Sequence, residues 1–314
     1  MNCNVSDFKL LPYDQIVCRV QGIMRITGLS KGVSMSKIKM IGLDLDGTLL
    51  TSNKELTEYT VKILRQAIDQ GIIVLVATGR PYTGIPEELR KFPGMRYALT
   101  ANGARIIDTW EDKVLFEKLF PISSAKKALE IFDKYDTLQE VYFDGQGYAE
   151  EEKLSNAERY HRNPAMWKYI RTTRKAVTSL NDIIAKENKA MDKVQAVFAD
   201  LHEKELAWEE LSKIKEFEIV SSLGYNIEIN TAGVNKGTGL LELGKLLGIQ
   251  RDEIMACGDG DNDEAMLREV GFGVAMGNAT DFVKAAADYI TETNDEEGAA
   301  KAIERFALKG ESLC

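Results

Sequence analysis

Between Ile38 and Ala77 the chain spells a strand, a helix and a second strand in close succession. Ile38-Lys39-Met40-Ile41-Gly42-Leu43 is a short apolar run that stops at Asp44, the pattern of a buried strand. Glu55 to Gln70 follows, with Val61, Leu64, Ala67 and Ile68 on one helical face and Gly71 where a helix C-cap belongs. Ile72 to Ala77 is apolar and rich in β-branched residues, so it reads as another buried strand. Two such strands joined by a helix require a crossover, which is right-handed and makes the strands parallel. The fold class this predicts is α/β, with a doubly wound, mostly parallel sheet.

The same pattern returns near the C-terminus. Thr238 to Leu247 reads as a helix stopped by Gly248, Glu253 to Cys257 as a strand, Asn262 to Val270 as a helix and Gly273 to Met276 as a short strand. Thr280 is a natural N-cap for a helix from Asp281 to Tyr289, and Asn294 for a last helix through Ala307. The middle differs. Asp144-Gly145-Gln146-Gly147 is a hairpin-type turn between Val141-Tyr142-Phe143 and Tyr148. Lys193 to Ala199 alternates like a half-buried strand, and Glu203 to Ile214 like an amphipathic helix. The expected organisation is a Rossmann-like core of residues 37–120 and 231–314, interrupted by an inserted α/β cap of residues 121–230.

Residues 1–36 show no steady period. They are expected to be a poorly ordered extension, and residues 1–34 to be no part of the native protein. Lys31-Gly32-Val33 can be encoded AAA-GGA-GTN, a ribosome-binding sequence just upstream of a Met35 start codon. Cys3, Cys18, Cys257 and Cys314 are scattered, without the spacing of a zinc site or a disulfide framework, which fits a reducing, cytoplasmic setting. No apolar run is long enough to span a membrane, and no secretory signal is evident. The net charge of −9 argues against nucleic acid, which needs a basic footprint. An anionic substrate would require local cations to reverse that field.

Polar clusters follow the predicted strands. Asp44-Leu45-Asp46-Gly47-Thr48 leaves the first one, and ligands of open parallel sheets bind beyond the carboxyl ends of strands. Two carboxylates so close ask for a cation between them, although a turn with incidental acids is the plainer alternative. Ala77-Thr78-Gly79-Arg80 ends the next strand with a hydroxyl and a free amide that suit a phosphate oxygen. Lys236, in Asn235-Lys236-Gly237, stands at a helix start, where the dipole disfavours a cation unless an anion is bound there. Gly258-Asp259-Gly260-Asp261-Asn262-Asp263 is a hard-cation signal. A helix-loop-helix calcium site is excluded, because position twelve counted from Asp259 is Val270 rather than Glu.

In this order, DLDGT, ATGR, NKG and GDGDND resemble the haloacid-dehalogenase superfamily of phosphatases. Thr100-Ala101-Asn102-Gly103-Ala104, Ala275-Met276-Gly277-Asn278-Ala279 and Asn294-Asp295-Glu296-Glu297-Gly298 extend the resemblance to its Cof-type subfamily, which carries a large α/β cap. The likeness covers about Lys37 to Ala307. It implies that Asp44 is the nucleophile that forms an aspartyl-phosphate, and that Asp46 is the acid and then the base. It implies phosphate-binding roles for Leu45, Thr78, Gly79, Lys236 and Asn262. Magnesium is expected on Asp44, Asp46 and Asp259, with Asp46 contributing its main-chain carbonyl or, in some assignments, its side chain. Asp263, Arg80 and Asn102 would support these groups.

The expected activity is magnesium-dependent hydrolysis of a small phosphorylated metabolite. A phosphomutase would use the same intermediate. A receiver-like signalling module would need neither the second acid nor the cap. Tyr142, Asp144, His161 and Trp167 are the cap side chains with the chemistry to meet a substrate, though each residue type is more often structural.

Overall fold

The computed structural model describes residues 38–312; the expected N-terminal extension lies outside them. An eight-stranded sheet forms the core. Its strands are β1 (Met40–Leu43), β2 (Ile73–Ala77), β3 (Tyr97–Thr100), β4 (Arg105–Asp108) and β5 (Lys113–Glu117), then, after the insertion, β12 (Ile254–Gly258), β13 (Phe272–Ala275) and β14 (Tyr289–Ile290). Their order across the sheet is β14-β13-β12-β1-β2-β3-β4-β5. The first six positions run parallel; β4 is antiparallel to β3, and β5 antiparallel to β4. The chain winds one way from β1 through β2 to β3 and the other way from β12 to β14. The switch point therefore falls between β1 and β12, where a doubly wound sheet opens a crevice.

Burial on both faces explains the composition of these strands. Met40, Ile41, Leu43, Val74, Leu75, Ile254, Met255 and Ala256 are wholly buried, as expected of parallel strands covered by helices. Helix α1 (Glu58–Asp69) begins later than its apolar period suggests, because Thr57 caps it by accepting from the Thr60 amide. Its Ile63, Leu64 and Ala67 are buried.

The second sheet comprises β6 (Thr137–Phe143), β7 (Gln146–Glu150), β8 (Arg174–Val177), β9 (Lys193–Phe198), β10 (Phe217–Val220) and β11 (Asn226–Thr231). Their order is β10-β11-β9-β6-β7-β8, antiparallel except for β7 with β8. Helices α2 (Ile122–Phe132), α3 (Pro164–Thr173), α4 (Leu180–Glu187) and α5 (Leu201–Leu211) accompany it. One cluster joins Phe132, Val141, Phe143, Val194, Ala196, Phe198, Ile227 and Ile229 to α2, α4 and α5. The hairpin turn is the pair Asp144 and Gly145, both at positive φ (49° and 73°), the backbone that a two-residue turn between twisted strands needs.

Several expected elements differ in detail. Strand β9 is buried along its whole length rather than half-exposed, because its polar face meets the core and not water. The helix expected from Glu203 to Ile214 is α5, capped by Asp200, which accepts from the His202 and Glu203 amides. After the insertion come α6 (Lys236–Leu247) and α7 (Glu264–Glu269), the latter preceded by a tight 3₁₀ turn over Asp261–Asp263. The helix expected from Asp281 to Tyr289 stops at Lys284, since Tyr289 pairs with Val274 in the sheet and packs its ring against Phe306 at 4.9 Å. Asn294 is not the cap of the last helix. Its amide instead donates to the Leu50 carbonyl at 3.0 Å, and the helix starts at Gly298.

Candidate active site

The strand order brings the sequence motifs side by side. Strands β12, β1, β2 and β3 are neighbours, so Asp259, Asp44, Thr78 and Asn102 leave adjacent carboxyl ends on one edge. The Asp44 amide bonds the Cys257 carbonyl at 3.0 Å, and the Thr78 amide the Leu99 carbonyl at 2.9 Å. These ladder bonds fix each loop where it departs from the sheet.

Asp44, Asp259 and Asp263 can place one carboxylate oxygen each within 4.8 Å of one another. Lys236 is buried among them and donates to Asp44 Oδ1 (2.5 Å) and Asp263 Oδ1 (2.7 Å). The anions that a lysine at the start of α6 requires are thus supplied by the protein. Asp263 is further tied through Oδ2 to the amides of Asp259 (3.0 Å) and Gly260 (2.9 Å). Thr48 Oγ1 donates to Asp259 at 2.7 Å, and Asn278 bridges Asp259 and the Gly47 carbonyl. One lysine among three carboxylates leaves an excess of negative charge. Burial raises the Asp44 carboxyl well above its usual range; Lys236 pulls it down, and the charges of Asp263 and Asp259 raise it again. Asp259 is pushed to about 7 by burial and by Asp263. A cluster that resists its own ionisation in this way fits a divalent cation.

Asp46 stands apart from that cluster. Its carboxylate takes Arg80 Nε on Oδ2 and Arg80 Nη2 on Oδ1, each at 2.7 Å, and Lys54 Nζ at 2.7 Å. Burial would raise its pKa, but the charge and hydrogen bonds of Arg80, with Lys54, hold it at about 2. Of the residues expected at the metal, the carboxylates of Asp44 and Asp259 lie together with that of Asp263, while the Asp46 carboxylate is engaged by Arg80 and Lys54.

A cavity lies over this edge, lined from the core by Asp44, Asp46, Thr78, Gly79, Arg80, Gly260 and Asn262. Thr78 accepts from the Arg80 amide at 3.1 Å. A Cβ on Gly79 would sit 2.7 Å from Asn102 Oδ1, so only glycine leaves room for Asn102 to receive Asn262 Nδ2 at 3.1 Å. The Leu45 side chain is wholly buried, its carbonyl accepts from the Leu50 amide at 2.9 Å, and Leu45 is not among the lining residues. Lys236 lies behind Asp44 and is not among the lining residues.

Residues of the second sheet and of the segments beside it close the cavity, among them Tyr169, Arg174, Lys193, Gln195, Ser222 and Glu228. None of Tyr142, Asp144, His161 and Trp167 lines it. Tyr142 is buried against Glu140 and Arg174. Asp144 binds Arg105 and Lys189. His161 is buried against the Tyr225 ring, and Trp167 donates to the His161 carbonyl. The residues overlooked carried a signal all the same: Lys193 and Gln195, or Asn226, Glu228 and Asn230, recur at a period of two inside apolar strands.

A sequence profile of the haloacid dehalogenase-like hydrolases matches residues 41–303. The chain is 32% identical over 277 residues to the 5-amino-6-(5-phospho-D-ribitylamino)uracil phosphatase YcsE of Bacillus subtilis, covering 86% of this chain and 96% of that one. Among solved structures it resembles a haloacid dehalogenase-like hydrolase from B. subtilis, with a TM-score of 0.77 at 28% identity, over 85% of this chain and 99% of the other. It also resembles the HAD subclass IIB sugar phosphatase BT4131, with a TM-score of 0.72 at 26% identity, over 86% and 99% of the two chains.

Proposed function

This chain belongs to the haloacid dehalogenase-like hydrolases and is a phosphoric monoester hydrolase; we propose that it releases phosphate from a small phosphorylated metabolite through an aspartyl-phosphate on Asp44, with magnesium. The observation that carries this reading is the position of Asp44. It sits at the switch point of the sheet, beside Asp259 and held by Lys236. The hydrolysis of a ribitylamino-uracil phosphate named for one relative, and of sugar phosphates named for another, supports a polyol or sugar phosphate as the substrate here.

Lys236 grips one oxygen of Asp44 and so sets the rotation of the carboxylate that attacks phosphorus. A new bond forms between Asp44 and phosphorus as the ester oxygen departs, and Asp46 gives that oxygen its proton. Water then attacks the acyl phosphate, with Asp46 taking its proton, and Asp44 is restored. Splitting one hard step into two is the gain of covalent catalysis. Thr78, Gly79 and Asn262 border the space of the phosphoryl oxygens. Magnesium on Asp44 and Asp259 would supply charge neutralisation at those oxygens. The grip of Arg80 and Lys54 on Asp46 suits the base of the second step. For the first, the phosphoryl dianion competes for the same cations.

The reading is tested by phosphate release over a panel of phosphorylated metabolites, abolished by chelation and restored by magnesium. A panel that yields no phosphate at saturating magnesium overturns it. Two variants probe the metal. Asp259→Ala is expected to abolish magnesium-dependent turnover with little loss of thermal stability, because removing one carboxylate also relieves repulsion. Normal activity at limiting magnesium would remove Asp259 from the site. Gly47→Ala is expected to raise the magnesium needed for half-maximal activity by about tenfold, an order of magnitude equivalent to ~1.4 kcal/mol. Gly47 has φ +84°, and a Cβ there would lie 2.3 Å from Asp259 Oδ2, so the new methyl group pushes the carboxylate aside. An unchanged magnesium titration would show that the loop yields elsewhere.

A further inference from the structure

The face of the second sheet that meets the core is polar, although it is buried. Strand alternation sends Val141, Phe143, Val194, Ala196, Ile227 and Ile229 into the hydrophobic cluster and their neighbours to the other side. Register then lays those neighbours in two adjacent rows. Glu228 pairs with Gln195, Gln195 with Glu140 and Lys193 with Tyr142, Tyr142 with Gly147, and Gly147 with Arg174.

The charges of these two rows are matched locally. Lys193 is ion-paired with Glu228 and reaches Gln195 Oε1 at 3.2 Å. Arg174 commits Nε to Glu140 (2.7 Å), Nη1 to Thr173 (2.9 Å) and Nη2 to the Tyr142 hydroxyl (3.0 Å). Opposite them, Arg80 commits two nitrogens to Asp46 and Nη1 to the Gly84 carbonyl. Each of the cations lining the cavity, Arg80, Arg174 and Lys193, therefore faces its own carboxylate. Glu228 is the junction. Oε2 takes Lys193 and Asn102 Nδ2 (2.9 Å), and Oε1 takes Ser222 Oγ and Asn226 Nδ2 (3.1 Å).

Burying an anion against a wall whose cations are already paired is unfavourable, whereas a hydroxyl can share the edges of those pairs. We propose that Glu228 sets the leaving-group specificity of this site: by neutralising Lys193 it admits uncharged, hydroxyl-bearing alcohols and turns away those that carry a second anion. This rests on the phosphatase reading above and adds to it the charge of the substrate.

The test is a charge cycle on the full chain with saturating magnesium. Glycerol 3-phosphate and 3-phosphoglycerate differ by a hydroxymethyl group against a carboxylate. Each is measured as a competitor of p-nitrophenyl phosphate hydrolysis. Wild type should bind the glycerol ester at least tenfold more tightly. Glu228→Gln, which leaves Lys193 uncompensated, should shift that ratio at least tenfold toward the acid. Lys193→Gln should shift it further toward the glycerol ester, and the double variant should return it near wild type. A wild-type ratio of one or less overturns the proposal, as does an unmoved ratio in Glu228→Gln or a ratio that moves alike in all three variants. If Glu228→Gln does not fold, Lys193→Gln decides: an unsharpened ratio overturns it. Wild type that fails to hydrolyse p-nitrophenyl phosphate would instead overturn the phosphatase reading itself.

Discussion

Asp44→Asn is expected to lower turnover of every phosphate ester by roughly 10⁶-fold, the scale on which removing a covalent nucleophile acts in a preorganised site. The substitution keeps the shape of the side chain and removes its charge. Lys236 retains Asp263 at 2.7 Å, so it remains compensated and the fold should persist. The melting temperature should hold or rise, because a carboxylate that burial and two neighbouring acids disfavour has gone. The loss should be equally large for a sugar phosphate and for p-nitrophenyl phosphate, since both pass through the same first bond. Rapid-quench trapping should recover no phosphoenzyme. A variant that keeps a few per cent of wild-type turnover, or that still traps labelled phosphate, would place the nucleophile elsewhere.

Asp46→Asn should act in a graded way. A sugar alkoxide is a poor leaving group and needs a proton in the transition state; p-nitrophenolate leaves well without one. General acid catalysis contributes about 10²–10⁴-fold, so the first step should slow by that order for the sugar ester and far less for the aryl ester. The second step starts from the same intermediate in both cases and loses the same base. With p-nitrophenyl phosphate, phosphoenzyme should therefore accumulate, and a burst of p-nitrophenol should precede slow turnover. Pre-steady-state rates are the measurement, because steady-state turnover reports only the shared slow step. Equal first-step losses without a burst would leave Asp46 as a partner of Arg80 and Lys54 and no more.

What the sequence disclosed depended on whether the deciding contacts were local. Strands β1, β2 and β12 announce themselves as apolar runs, and the loops that follow them carry Asp44, Thr78 and Asp259, so one edge of the sheet was legible. Lys236 was legible as an anomaly, a cation at a helix start, and the resemblance pointed to Asp263 as a supporting residue, while the bond to Asp44 was not legible. Asp44 and Asp263 are distant in sequence, and only the sheet brings them to it. The alternation of β9 was visible too, yet alternation says only that two faces differ. It does not say whether the polar face meets water or another protein surface, and Lys193 and Glu228 were overlooked for that reason. The helix at Asp281 shows the opposite failure. Its cap at Thr280 was correct, but pairing of Tyr289 with Val274 overrode the local preference beyond Lys284.

The junction between the two sheets has an evolutionary corollary. Thr231 Oγ1 donates to the Leu119 carbonyl at 2.9 Å, across 112 positions of sequence, and Lys118 Nζ donates to the Ala232 carbonyl at 2.9 Å. The core thus experiences everything between them as a loop whose ends are already fastened. Each doubling of such a loop adds only about 0.6 kcal/mol of closure cost. Material can be lengthened or trimmed inside that clasp at little cost in closure, so long as the side chains that reach back to the core, among them Glu228 and Asn230 on Asn102 and Asp192 on Arg105, are kept.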